Sequence, residues 1–332
     1  MQAIEIHETG DPSVLQLVER PLPQITAPTE VLVKLAAAGI NPVDTKIRRN
    51  GAMLAAGLPL IPGCDGAGAI AAVGAAVTRF QPGDAVWFCH GGLGGAAGNH
   101  AEYRVIDQAL VQPKPATLSM TEAAAAPLVL LTAWEALHER AQLAAGQQVL
   151  IHGGAGGVGH VAMQLAVAAG ARVCTTVSSP EKAAFAQALG AERCINYREE
   201  DVVAAVREWT DGRGVDIALD TVGPAVFQQT IPAVAHYGDL VTILDPGASV
   251  DFKEARLRNL RLSLVLMLTP QVRNLATALA RQGDILNRCA ALIARSAVRI
   301  HVSHTFPLAQ VADAHRVLEL GHVTGKLALV LD

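Results

Sequence analysis

Gln148-Val149-Leu150-Ile151-His152-Gly153-Gly154-Ala155-Gly156-Gly157-Val158-Gly159 decides the fold. An apolar run enters a cluster of glycines, and from Val158 to Gly170 apolar and small residues recur at helical spacing. That pattern predicts a strand, a tight turn and a helix, with Gly154-x-Gly156-x-x-Gly159 at the turn. The first glycine permits the turn, the second lets backbone N–H groups approach a diphosphate, and the third lets helix and strand pack closely. The helix N-terminus then presents its positive end to the phosphates. Gly154, Ala155, Gly156, Gly157, Val158 and Gly159 are the candidate dinucleotide-binding residues. The competing reading is a tight turn without a ligand.

The choice of dinucleotide is read further along. An NAD-specific fold places an Asp or Glu about 20 residues beyond the first glycine, where it takes the ribose hydroxyls. Here the next strand, Ala171-Arg172-Val173-Cys174-Thr175-Thr176-Val177, runs into Ser178-Ser179 with no carboxylate. Ser178, Lys182 one turn into the next helix, and Tyr197 after the third strand suit a 2′-phosphate, which a carboxylate would repel. The expectation is NADP(H). A solvated Lys182 and a helix-capping serine are the alternative, and Glu181 beside Lys182 weakens the electrostatic argument.

Outward from this unit, strands are expected at 148–152, 171–177, 193–196, 215–220, 239–244 and 261–268. Helices fall between most of them, as at 180–189 and 201–210. The alternation predicts an α/β protein with a doubly wound parallel sheet. The first third instead reads as strands broken by Pro and Gly, with 91–98 a mobile glycine-rich loop, and the last residues return to strand character. The expected layout is a β-rich substrate domain from both ends of the chain (1–124 and 269–332), with the Rossmann unit (125–268) inserted. A net charge of −4 gives no reason to expect nucleic acid or an anionic membrane surface. The longest apolar stretch, 123–134, is too short to span a bilayer. Met1-Gln2-Ala3-Ile4-Glu5-Ile6 does not read as a signal peptide. Five scattered cysteines without a CxxC fit buried thiols in a reducing compartment. A cytoplasmic protein is expected.

The chain resembles the medium-chain dehydrogenase/reductase superfamily, and within it the zinc-independent quinone oxidoreductases. The resemblance covers essentially the full length. It is carried by Ala38-Gly39-Ile40-Asn41-Pro42-Val43-Asp44-Thr45-Lys46-Ile47-Arg48, Pro62-Gly63-Cys64-Asp65-Gly66-Ala67-Gly68, Val77-Thr78-Arg79-Phe80-Gln81-Pro82-Gly83-Asp84 and Leu130-Leu131-Thr132-Ala133-Trp134. The glycine turn, Ile195-Asn196-Tyr197-Arg198-Glu199-Glu200-Asp201, Asp220-Thr221-Val222-Gly223 and Gly325-Lys326 complete it. It implies a GroES-like substrate domain and NADPH-dependent hydride transfer. Zinc relatives carry a Cys where this chain has Asn41 and His-Glu where it has Cys64-Asp65, and the third ligand has no counterpart, so no metal is expected.

By the same resemblance, Asn41 lies near the nicotinamide, where its amide could hold a carbonyl or ribose. An Asn-Pro turn residue is the equal alternative. Asp44 is expected to organise that loop. Lys46 replaces a tyrosine common in relatives, and either meets an oxyanion or is solvated; Asn41, Asp44 and Lys46 are the candidate catalytic residues. Thr132, Val222, Gly223, Leu244 and Lys326 join Asn41 as implied coenzyme contacts.

Without a Lewis acid, a quinone or α,β-unsaturated carbonyl is the easier hydride acceptor, because charge spreads to an oxygen that needs only hydrogen-bond donors or a proton. Two alternatives stand beside this. One is reduction of anionic acrylate or enoyl-thioester substrates, favoured by Lys46, Arg48 and Arg49. The other is an NADPH-binding sensor or structural protein with little turnover. The apolar run Leu262-Ser263-Leu264-Val265-Leu266-Met267-Leu268 reads as an exposed sheet edge, which predicts a homodimer paired edge to edge, unless helices beyond Pro270 cover it.

Overall fold

The computed structural model describes residues 1–51 and 57–331, which divide into two units interleaved along the sequence. One comprises Met1–Leu128, Leu268–Ala294 and Ile300–Asp332; the other comprises Val129–Met267 and Arg295–Arg299. The sequence reading divides the chain after 124 and 268, whereas the first division falls inside the helix Pro127–Trp134.

The first unit is built on antiparallel pairing. β1 (Gln2–Ile6) pairs with β2 (Leu15–Glu19). β3 (Glu30–Ile40) is the axis of the larger sheet, pairing with β4 (Asp65–Val73) and with β6 (Tyr103–Asp107). β5 (Ala85–Cys89) continues from β4, and β7 (Gln112–Pro113) from β5. Val31, Val33, Leu35, Ala37 and Ala38 of the central strand are all fully buried, as its Val/Leu/Ala-rich run requires.

The second unit is a six-stranded parallel sheet of β8 (Gln148–Ile151), β9 (Arg172–Val177), β10 (Arg193–Asn196), β11 (Val215–Asp220), β12 (Val234–Thr242) and β13 (Arg261–Leu264). Their order is β10-β9-β8-β11-β12-β13, so strand order reverses between β8 and β11. In open α/β sheets ligands bind at such a switch point, outside the carboxyl ends of the strands. Crossover helices at Gly157–Ala168, Pro180–Ala188, Val202–Trp209 and Pro224–Thr230 alternate with the strands. Leu150, Cys174, Ile195, Val206, Val215, Phe227 and Leu240 belong to one buried core. The chain then returns to the first unit, where β14 (Val302–Pro307) pairs with β15 (Lys326–Val330) and β15 closes against β3.

Several expectations need correction. The strand read at 239–244 begins at Val234, and Tyr237, at φ +64°, bends its course. The strand read at 261–268 ends at Leu264, because its neighbour β12 ends opposite it at Thr242. The loop at 91–98 is packed at both ends. A Cβ on Gly91 would lie 2.0 Å from the Ala97 carbonyl oxygen, and one on Gly98 2.1 Å from that of Pro62. Cys194, expected in the core, is only half-buried. The β-rich first third also holds the helix Pro42–Asn50, with Pro at its first position, Asp44 in its first turn and Gly51 at φ +69° closing it.

The buried histidines include His100 and His315 in the first unit and His152 in the second. The His100 and His315 rings meet edge-on with centroids 6.4 Å apart. Neither nitrogen of His315 has a hydrogen-bond partner among the described residues. Burial pushes His100 and His152 down to about 4, and burial together with His100 and Arg48 pushes His315 to about 3. The folded imidazoles thus stay neutral where the unfolded chain binds protons, so stability falls as pH drops from about 6.5 to 4. Each contributes roughly 1.4 kcal/mol per pH unit in that window. Asp44 and Asp65, raised by burial, act in the opposite sense. In urea unfolding between pH 6.5 and 4.5, His315→Leu is expected to lower the pH slope of stability by about one histidine's share. An unchanged slope would mean that His315 is already charged in the folded protein.

Candidate functional site

The glycine turn leaves β8 through His152 and turns at Gly153, whose φ of +65° is the left-handed conformation that glycine adopts without strain. The sequence reading gives this role to Gly154, one residue later. Gly154 is required for another reason: a Cβ there would sit 2.1 Å from Thr175 Oγ1 of β9. Gly159 is held against the turn itself, since its Cβ would lie 2.1 Å from the Gly153 carbonyl oxygen. Gly156 differs. Its backbone is extended (φ −81°, ψ 179°), its N–H donates to the Gly153 carbonyl at 2.8 Å, and a Cβ would meet only that oxygen, at 3.1 Å. Gly154, Ala155 and Gly159 are buried, while Gly156, Gly157 and Val158 are part-exposed. Gly156 caps a twelve-residue helix with no acid in its first turn. The N–H groups there carry the positive helix end, and a side chain at Gly156 would fill the space before them. These residues fit the diphosphate of a dinucleotide.

Beside the turn, β9 and β10 end in register, Val177 opposite Asn196. Ser178 follows the first and Tyr197 the second; Tyr197 is exposed, and its N–H donates to the Val177 carbonyl at 3.2 Å. Ser179, rather than Ser178, caps the next helix, its Oγ accepting from the Lys182 N–H at 3.3 Å. Lys182 is half-buried. Glu181 is hydrogen-bonded to Ser179, which holds its carboxyl below the usual range. Ser178 and Tyr197 thus follow neighbouring strand ends, and Lys182 lies in the first turn of the helix after β9.

Across the switch point, the buried Asp220 ends β11 and shapes the loop after it. Its Oδ1 accepts from the N–H groups of Val222 (2.9 Å) and Gly223 (3.0 Å), and its Oδ2 from the Thr242 hydroxyl (2.8 Å). Gly223 takes φ +127°, and a Cβ there would lie 3.6 Å from the Leu244 side chain. Val222, Gly223 and Leu244 therefore stand together at the ends of β11 and β12. The sequence reading quotes Asp220 but gives it no role. Its signal is an aspartate that bonds the backbone two residues on.

The first unit holds a separate, wholly buried polar cluster. Asn41 Nδ2 donates to Asp65 at 2.9 Å, and Asn41 Oδ1 accepts from Lys326, which also donates to the Ile40 carbonyl at 2.8 Å. Asp44 accepts the Asn41 N–H at 2.8 Å, and Asp65 accepts the Leu128 N–H at 2.9 Å. Burial raises Asp44 to about 7, raises Asp65, and lowers Lys326 against the pull of both carboxylates. Asn41 and Asp44 are completely buried and Lys326 nearly so, whereas a residue that meets substrate must be reachable. Of the three candidate catalytic residues, Asn41 and Asp44 are enclosed in this cluster and Lys46 is exposed. Thr132 is buried in the helix Pro127–Trp134. The donors at the zinc-ligand positions of the resemblance do not fit a metal. The Asn41 amide is committed on both sides, to Asp65 and to Lys326, and an amide is not among the His, Cys and carboxylate ligands of zinc. Among the described residues no three His, Cys, Asp or Glu side chains form a metal-binding group.

Known proteins share this architecture. Residues 27–116 match the alcohol dehydrogenase GroES-like domain family, and residues 189–329 match a family described as zinc-binding dehydrogenase. The quinone oxidoreductase of Pseudomonas aeruginosa is 34% identical over 327 residues, 98% of each chain. The crystal structure of the Escherichia coli quinone oxidoreductase complexed with NADPH is 30% identical with a TM-score of 0.88, over 99% of this chain and 100% of that one. An alcohol dehydrogenase superfamily protein from Novosphingobium aromaticivorans is 36% identical with a TM-score of 0.93, over 100% of both chains. A GroES-like domain, a Rossmann unit and this full-length similarity make the chain an oxidoreductase that belongs to the quinone oxidoreductase family of the medium-chain dehydrogenase/reductase superfamily.

Proposed function

We propose that this protein reduces quinones or α,β-unsaturated carbonyl compounds with NADPH and without zinc. The observation that carries the reading is the open side of Gly156 before a helix end with no side-chain cap, together with Ser178, Lys182 and Tyr197 beyond the ends of the neighbouring strands β9 and β10 and no carboxylate at the end of β9. NADPH, when bound, supplies the hydride. The glycine turn binds the diphosphate, Lys182 with its hydroxyl neighbours holds the 2′-phosphate, and the Val222–Gly223 loop with Leu244 borders the nicotinamide half. Asn41, Asp44, Asp65 and Lys326 hold the substrate unit in shape, leaving Lys46 as the candidate donor to a developing oxyanion. A preference for anionic acids loses support, because Arg48 donates to Gly10 and Glu319, and Arg49 to Glu319. Five free thiols fit a reducing, cytoplasmic setting.

The test is an NADPH-oxidation screen of quinones, enones and acrylates with a chelator present. Turnover of quinones or enones, unaffected by chelation, is expected; activity that tracks one zinc per chain would overturn the reading.

For the coenzyme, Gly156→Val is expected to weaken NADPH by about two orders of magnitude through lost charge-assisted hydrogen bonds, with the unfolding midpoint kept. Lys182→Ala is expected to cost about tenfold in NADPH affinity and to leave NADH unchanged. Equal weakening of both coenzymes would place the preference elsewhere.

We further infer a homodimer. β13 is the last strand of its sheet; Leu262 and Leu264 are exposed on it and Leu266 just beyond it, Leu264 at 64%. Such an edge is covered or paired in natural proteins, and a two-fold copy satisfies both its backbone and its apolar side chains. Light scattering of the wild type should give twice the chain mass, and Leu264→Glu with Leu266→Glu should halve it. A monomeric wild type would end this inference.

A further inference from the structure

His152 lies between the last residue of β8 and the left-handed Gly153, and its ring is hydrogen-bonded at both nitrogens. The directions of these bonds follow from counting protons. The Thr230 hydroxyl spends its hydrogen on the Val226 carbonyl at 2.6 Å. The 2.8 Å contact between His152 Nε2 and Thr230 Oγ1 must therefore have the imidazole N–H as donor. Burial keeps the ring neutral against the pull of Asp220, so Nδ1 carries a lone pair. The Thr176 hydroxyl, 3.3 Å away, donates to that lone pair while its oxygen accepts the Gly153 N–H at 3.0 Å. The wiring runs one way: Gly153 N–H to Thr176, Thr176 to His152, His152 to Thr230, Thr230 to Val226.

A second tie leaves the same residue. The His152 carbonyl accepts from the Thr221 hydroxyl at 2.7 Å, and Thr221 begins the loop whose Val222 and Gly223 N–H groups Asp220 holds. Gly153 in turn receives the Gly156 N–H, so its orientation sets the cap of the helix Gly157–Ala168. His152 is thus bonded, directly or through one hydroxyl, to both loops at the switch point and to the helix Pro224–Thr230. An apolar residue of the same size would fill the space and make none of these side-chain bonds.

We propose that His152, neutral and protonated on Nε2, is a positioning residue that couples the helix Pro224–Thr230 to the dinucleotide turn and so pre-sets the phosphate cradle. The functional part rests on the NADPH reading above; the wiring does not. Nitrogen-15 NMR of the coenzyme-free protein should show the Nε2–H tautomer, unchanged from pH 8 to pH 5. A ring that titrates near 6.5, or carries its proton on Nδ1, overturns the proposal.

His152→Leu removes both ring bonds, whereas His152→Asn keeps an acceptor near the Nδ1 position. Amide exchange at Gly153, without coenzyme, is expected to speed up about tenfold in the leucine variant and little in the asparagine variant, as expected for one lost hydrogen bond. NADPH dissociation constants should follow the same order, with Thr230→Val in between. A merely structural histidine would lower the unfolding midpoint in both His152 variants and leave exchange and affinity unranked, which overturns the positioning role. A wild type that binds no NADPH removes the functional reading, while tautomer and amide exchange still decide the wiring.

Discussion

The Gly153 carbonyl and the Gly159 Cα approach so closely that a single methyl on Gly159 would overlap the oxygen. On the other side of the same turn, Gly154 is pressed against Thr175 of β9 just as tightly. The turn is therefore gripped between the first crossover helix and the neighbouring strand, and neither can shift without the other. From that grip follow the placement of β9 beside β8 and the aim of the helix end at the sheet's carboxyl edge. Gly156 is the member of the motif whose open side owes nothing to packing, which is why affinity and folding should separate there.

The Rossmann unit was legible because its determinants are local. Apolar runs of four to six residues, glycine at turns and proline or serine at helix starts lie within a few positions of what they control. The pattern failed at strand lengths, where a partner decides. β13 stops at Leu264 although the apolar run continues, because β12 offers nothing further to pair with. Tyr237 holds a left-handed backbone inside β12, which no propensity favours for an aromatic residue.

The polar clusters were far less legible. Asp65 meets partners 24 and 63 residues away, and Lys326 meets Asn41 across 285. No spacing rule spans such separations, so a buried carboxylate and a surface one look alike in the sequence. His152 was equally opaque: its partners Thr176 and Thr230 lie 24 and 78 residues on, and one histidine before a glycine turn has no local signature of burial. The helix Pro42–Asn50 is the opposite case, with proline, aspartate and glycine signals all in place but outweighed by the strand-rich segment around it.

The bond from Lys326 to Ile40 and Asn41, and the pairing of β15 with β3, have a consequence for birth on the ribosome. The central sheet of the first unit is closed by β15, a strand made after the whole Rossmann unit. The Rossmann unit, contiguous but for residues 295–299, emerges whole well before that. At ordinary synthesis rates the N-terminal strands wait roughly 10–40 s for their last partner. The usual order of vectorial folding is inverted: the segment made first is completed last, and Asn41 and Asp65 meet the Lys326 ammonium only once β15 has been made.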